Sequence, residues 1–162
     1  MPEELVDIIN DAGETIRVEP RSVMRRERLP HRCVYILMFS TRGEIFVHQR
    51  TATKDIYPSY WDLAAGGVLS SGETFDEGAA RECQEELGVA TPLTYLFPFN
   101  FADERTIVQA RVYRGEHDGP FRLQPEEVVQ GEFVASDMLA KLIDTRPFCP
   151  DGLQVWQRYK QV

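Results

Sequence analysis

Apolar positions recur every four residues through Phe75, Ala79, Cys83 and Leu87, with charged residues between them. That period is helical, and together with Ala80 these residues draw one apolar stripe for packing on a core. The flanks agree with a helix over 74–87. Thr74 is a good N-cap, Glu77 three residues on completes a capping box, and Gly88 supplies a left-handed stop. Ser70, Ser71 and Gly72 before it are turn formers.

Elsewhere the period is mostly that of strands. Leu5 to Pro20 alternates as a hairpin, LVDIIN and TIRVE around a turn at Asp11-Ala12-Gly13. Pro20 and Arg21 open a short helix reaching Arg28, whose Arg21, Arg25, Arg26 and Arg28 are read as a solvated basic face. His31 to Ser40 is almost continuously apolar, the mark of a central strand buried on both faces. Glu44 to Arg50 is expected to pair with it across the turn TRGE, bringing Arg50 to a strand end. After a loop around Pro58, a short strand runs into Gly66 and Gly67, with Tyr57, Tyr60 and Trp61 expected in core or pocket wall. Leu93 to Asn100 and Arg105 to Arg114 follow as strands joined by FADE, the second alternating with Val108, Ala110 and Val112 on one side. Residues 115–125 are a loop punctuated by Gly and Pro. A strand over 132–135, a helix over 137–144 capped by Ser136, and a helix over 151–159 with Leu153 and Trp156 inward complete the chain.

Length and composition add bounds. At 162 residues and 43% hydrophobic content, the chain suits one domain, 1–162, with 1–30 appended to its core. An N-terminal hairpin outside the core could serve a homodimer. No apolar run reaches membrane-spanning length and the start, MPEELVDIIN, has no signal-peptide pattern, so a cytoplasmic protein with no membrane partner is expected. Cys33, Cys83 and Cys149 are odd in number and lack metal-ligand spacing, which fits reduced thiols. A formal net charge of −8 argues against a nucleic-acid polymer and leaves room for a small anion held by local cations.

The chemistry gathers on the helix. Glu82, Glu85 and Glu86 stand at i, i+3 and i+4, so three carboxylates crowd one flank. Like charges at this spacing cost a helix roughly 0.2–0.5 kcal/mol per pair, and a hard divalent cation such as Mg²⁺, with Mn²⁺ as an alternative, would offset that. Arg81 can neutralise part of the cluster and tie it to Glu73 in the preceding loop.

The stretch from Gly67 to Val89 resembles the Nudix box, G-x5-E-x7-R-E-U-x-E-E-x-G-U with U a bulky aliphatic residue. Gly67, Glu73, Arg81, Glu82, Glu85, Glu86 and Gly88 match its fixed positions, Val89 fits the second aliphatic, and Cys83 replaces the first. The resemblance implies an α/β fold, the Nudix α/β/α sandwich with a mixed sheet between helices. It also implies hydrolysis of a phosphoanhydride in a small diphosphate substrate, a nucleoside diphosphate-linked or related phosphorylated metabolite, with Glu73, Arg81, Glu82, Glu85 and Glu86 as the catalytic set. Gly66, through its carbonyl, joins Glu82, Glu85 and Glu86 as expected metal ligands. An additional acidic ligand or base is sought among Glu104, Glu126 and Glu127.

From His31 to about Val89 the chain is also similar to isopentenyl-diphosphate isomerase, a member of the same superfamily. Arg50 and Lys54 match residues that hold the diphosphate there, and His31 matches one metal-binding histidine. The isomerase's catalytic cysteine falls at Ala65 and a further metal-binding histidine at Gly67, so the position of the proton donor is empty of acid. Hydrolysis is therefore preferred to isomerisation, and both to a catalytically silent nucleotide sensor.

Overall fold

In the computed structural model, which describes residues 3–162, the alternation near the start of the chain closes as a hairpin. Strand β1 (Leu5–Ile9) pairs antiparallel with β2 (Thr15–Pro20), and Asn10 Oδ1 fixes the turn by accepting from the Ala12 and Glu14 N–H groups. Residues 1 and 2, part of the appended stretch 1–30, lie outside the described residues. Helix α1 (Arg21–Arg26) follows and buries Met24, so this segment sits on the core through Val6, Ile8 and Met24.

The apolar run becomes β3 (His31–Phe39), buried along nearly its whole length. Its odd-numbered residues Cys33, Tyr35, Leu37 and Phe39 face one core, and Val34, Ile36 and Met38 face the other. Strand β4 (Ile45–Arg50) departs from expectation, meeting β3 only at the Phe39–Ile45 pair beside the turn. It turns instead to a strand far downstream, while the edge of β3 nearer its start is taken by β6 (Ala65–Val68), which follows the two-residue β5 (Trp61–Asp62). β3 and β4 thus diverge from their shared turn, and the glycine strand lies between β3 and the cleft residues.

Helix α2 (Phe75–Leu87) starts and stops as its sequence demands. Thr74 Oγ1 accepts from Glu77 N–H at 3.1 Å, Glu77 Oε1 accepts from Thr74 N–H at 2.9 Å, and Gly88 caps the end at φ 71°. Ala79, Cys83 and Leu87 are buried, but Ala80 is exposed: the stripe is completed by Gly78 and by the carboxylate-bearing Glu86.

Strand β7 (Thr94–Ala102) continues through Phe101 and Ala102 and the next strand starts at Ile107, so the joining turn keeps its length and lies two residues later than expected. β8 (Ile107–Glu116) returns antiparallel to β7 and parallel to β3, making the sheet mixed. β9 (Val128–Val134) begins four residues before its expected start and pairs with β4. Helix α3 (Ser136–Thr145) takes Ala135, not Ser136, as its N-cap, with no side-chain cap bond. Helix α4 (Pro150–Lys160) buries Val155 and Trp156. The seven-stranded sheet therefore lies between two apolar layers, one holding α2 and the other α1, α3 and α4 residues with the hairpin, which is the expected α/β/α sandwich. No helix among the described residues is long and apolar enough to cross a membrane.

Candidate active site

The glycines come first because they set how closely two backbones approach. Gly66 has φ 143°, and a Cβ there would lie 2.0 Å from the Val34 carbonyl oxygen. At Gly67 a Cβ would lie 2.8 Å from Glu82 Oε1 and would displace that carboxylate, so Gly66 is needed for β6 to lie against β3 and Gly67 leaves the Glu82 carboxylate its place over the strand. Gly66 N–H donates to Glu86 Oε1 at 2.8 Å, fastening the last carboxylate of the helix to the strand.

Arg81 is the hub of the acidic flank. Its Nε donates to Glu73 Oε2 at 2.7 Å and Nη2 to Glu73 Oε1 at 2.9 Å, a two-pronged grip on the loop carboxylate. Nη1 reaches Glu82 at 2.9 Å and Glu85 at 3.1 Å, and Nη2 also reaches the Val68 carbonyl at 3.3 Å. The Arg81 guanidinium accordingly holds the Glu73 carboxyl below its usual range. Glu82 and Glu86 behave oppositely. Burial, and then their neighbouring carboxylates, push both upward despite the cations nearby. Glu85 stays exposed.

Two openings meet at the glycine strand. An outer cleft of about 860 Å³ is bordered by Lys54, Gly66, Gly67, Glu82, Glu85 and Glu127, and Glu126 also reaches it. An inner cavity of about 570 Å³, counted with its mouth, lies behind β6 and is lined by Arg50, Glu86, His31, Tyr35, Thr106 and Asp151 among others. Arg21, Lys54, Gly66, Gly67 and Val68 border both, so the two spaces share a wall at the glycine strand.

Of the two expected phosphate-binding cations, Lys54 borders both openings and Arg50 only the inner one. Lys54 pairs with Glu127, which singles out Glu127 as the loop acid tied to the cleft. Arg50 donates Nη2–H to the Ile56 carbonyl at 3.1 Å, while its Nε is buried without a partner. Glu104 is exposed and borders neither opening, whereas Asp103 folds its turn by accepting from the Arg105 and Thr106 N–H groups. The arginines of the α1 segment do not form one solvated face. Arg21 and Arg25 are not both solvated: each donates Nε–H to Asp55 Oδ2 at 3.0 Å and lines the inner cavity, while Arg26 and Arg28 remain exposed.

Some residues of the site were not legible in the sequence. Asp62, Cys149 and Asp151 bring one ligand-type atom each within 4.8 Å of one another. Tyr35 donates its hydroxyl to Asp151 at 2.7 Å, and the Ala64 N–H donates to Asp62 at 3.2 Å. Arg50 lies in range of both aspartates and of Glu86, so its guanidinium already provides the balancing positive charge. The aspartates lie far apart in the chain, and no local spacing announces their meeting.

This arrangement of glycine strand, acidic helix and arginine hub can be compared with known proteins. The NUDIX domain pattern matches residues 29–151, most of the chain. The chain belongs to the NUDIX domain family. A Nudix hydrolase of Pseudomonas aeruginosa, PA4841, is 35% identical over 157 residues, covering 96% of this chain and 93% of its own. The Nudix hydrolase YfcD of Escherichia coli K12 is 37% identical over 152 residues, covering 93% and 83% respectively. The crystal structure of DR0079 from Deinococcus radiodurans shares the Nudix fold with a TM-score of 0.81 at 24% identity, over 96% of this chain and 98% of its own. The Nudix relatives make the chain an enzyme of the pyrophosphohydrolase kind.

Proposed function

We propose that the chain hydrolyses the phosphoanhydride of a small diphosphate-linked metabolite in the outer cleft, with Mg²⁺ or Mn²⁺ held by Glu82, Glu85, Glu86 and the Gly66 carbonyl. The observation that supports this most is the pair Glu82 and Glu86, a half-buried and a buried carboxylate whose ionised forms are penalised by desolvation and by acidic neighbours. Such a pair is costly on its own and well matched to a hard divalent cation. The open face left by the two glycines gives that cation and a phosphate somewhere to sit.

A divalent cation bound there supplies positive charge against phosphate oxygens and acidifies water. The chain's residues do the rest. Arg81 holds Glu82 and Glu85 in place through Nη1 and anchors them to Glu73. Lys54, released from Glu127 by a more strongly charged partner, would donate to a phosphate oxygen, with Arg21 along the same border. Glu127, freed in that exchange, or one of the helix glutamates takes the proton from the attacking water. Isomerisation lacks its proton donor, because Ala65 is a buried alanine in β6.

The test is a screen of diphosphate compounds with Mg²⁺, scored by phosphate released after phosphatase coupling. Glu86→Gln keeps an oxygen to accept from Gly66 N–H and removes the charge. It should lower turnover at least about a hundredfold, the scale seen when a charge-stabilising group is removed, while a native far-UV circular dichroism spectrum shows the fold retained. Turnover equal to wild type on every active compound would remove the acidic flank from the reaction.

A further inference from the structure

Only two buried side-chain polar atoms among the described residues lack a hydrogen-bond partner, His31 Nε2 and Arg50 Nε, and both residues line the inner cavity. Buried polar atoms are nearly always paired, so two orphans on one cavity wall mark a place where a partner belongs.

The chemistry of that partner follows from the histidine. His31 is fully buried at the start of β3, and its Nδ1 lies 2.9 Å from the Leu29 carbonyl. A carbonyl can only accept, so Nδ1 carries the proton. Burial, with Arg25 and Arg21 nearby, outweighs that bond and the Asp55 charge and keeps the ring neutral, its pKa pushed down to about 4. In a neutral ring with Nδ1 protonated, Nε2 is a bare acceptor.

An acceptor excludes some ligands. An anion would meet the lone pair of Nε2. A cation, metal or ammonium, would meet the Arg21 and Arg25 charges, and the one described metal-type cluster is that of Asp62, Cys149 and Asp151, without His31. A neutral donor meets neither objection. Thr106, buried on the same cavity lining, accepts from Arg25 Nη1 at 3.3 Å and so keeps its own hydroxyl proton free to donate. A hydroxyl can donate to Nε2 while its oxygen accepts from Thr106. Ile56, Ala64 and Val108 add apolar surface. The cations Arg21, Arg25, Arg50 and Lys54 on the lining are matched there by Asp62, Glu86 and Asp151 or, for Arg21 and Arg25, by Asp55.

We propose that the inner cavity is the specificity pocket for the group attached to the diphosphate, that this group is compact, uncharged and hydroxyl-bearing, and that its hydroxyl donates to His31 Nε2. The inference rests on the reading that the diphosphate occupies the outer cleft, which shares Arg21, Lys54, Gly66, Gly67 and Val68 with the inner cavity. Arg50 Nε is the matching donor on the same wall, for an acceptor oxygen of the same substrate. A polar wall of this kind discriminates strongly, because a ligand without the hydroxyl leaves the buried acceptor unsatisfied.

The test uses the intact protein with Mg²⁺ and two probes of nearly equal size, 4-hydroxybutyl diphosphate and butyl diphosphate. In ¹⁵N-histidine NMR, the unprotonated Nε2 resonance of His31 should move on saturation with the hydroxylated probe and stay in place with the other. In phosphate-release assays the hydroxylated probe should be preferred by roughly tenfold in kcat/KM, the worth of about one buried hydrogen bond. His31→Leu should bring the ratio near one, and His31→Gln, which keeps an acceptor, should restore part of it. If neither probe is hydrolysed, the hydrolase reading fails for such compounds, while the Nε2 resonance still decides the pocket. An Nε2 resonance that neither probe moves, or that both move alike, would make the cavity a space satisfied by water alone and overturn the inference, whether or not the His31→Leu protein folds.

Discussion

Single atoms decide several features of this site. Gly66 combines a left-handed φ of 143° with a Cβ position 2.0 Å from the Val34 carbonyl oxygen, so alanine there must push β6 off β3. Gly66→Ala should cost about 2–4 kcal/mol, read from urea unfolding, and should weaken metal binding because Glu86 loses its N–H partner. A second residue-scale effect comes from His48, buried in β4 within reach of the Arg50 and Lys54 charges. Burial first, and those cations next, lower its pKa to about 3, against about 6.5 in an unfolded chain. Because the folded value is the lower one, its contribution to stability is complete above pH 6.5 and is lost as pH falls from there toward 3. The slope is about 1.4 kcal/mol per pH unit. His48→Gln should therefore flatten the acid limb of a Tm-against-pH curve relative to wild type. Curves that run parallel from pH 6.5 to 4 would mean that His48 does not titrate as a buried neutral ring.

At the level of elements, α2 was readable to the residue because capping is local. Thr74, Glu77 and Gly88 announce both ends, and Thr74→Ala should cost about 1 kcal/mol, lowering Tm by roughly 2–4 °C in a domain of this size. A calorimetric shift under half a degree would mean that tertiary packing, not the cap, fixes the helix start. Strands were readable as strands and not as partners. The continuous apolar run of β3 announces burial on both faces, yet nothing within Glu44–Arg50 says that its ladder goes to β9, some eighty residues on. The acidic flank was legible for the same reason as α2, since i, i+3 and i+4 share a face on any helix. Asp62, Asp151 and the paired Arg21 and Arg25 were not, because their meeting depends on sheet order and on how the N-terminal segment docks. Ala80 shows the limit of periodicity even within α2: the buried place beside Ala79 went to Gly78 and Glu86, the groups facing Leu69 and the Gly66 N–H.

For the molecule as a whole, the proposed cation site makes stability a function of both metal and protons. Burial, and the acidic groups beside them, raise Glu82 and Glu86 above their unfolded values. A raised carboxyl favours the fold below about pH 4.5 and withdraws that support as pH climbs through the folded value. Metal-free protein should thus lose this support on passing from pH 5 to pH 8, and Mg²⁺, which binds the ionised carboxylates, should return it. At about 100 times its Kd the cation adds roughly 2.7 kcal/mol, or about 5–10 °C in Tm. The same Mg²⁺ should shift Tm far less at pH 5, where protons hold the site. Glu86→Gln separates this linkage from a general salt effect. In metal-free buffer at pH 8 the variant should melt at or above the wild-type temperature, because a costly buried charge is gone, and added Mg²⁺ should leave its Tm nearly unmoved. A variant that melts lower than wild type without metal yet gains as much from Mg²⁺ would place the cation elsewhere, and the raised carboxyls would then belong to packing alone.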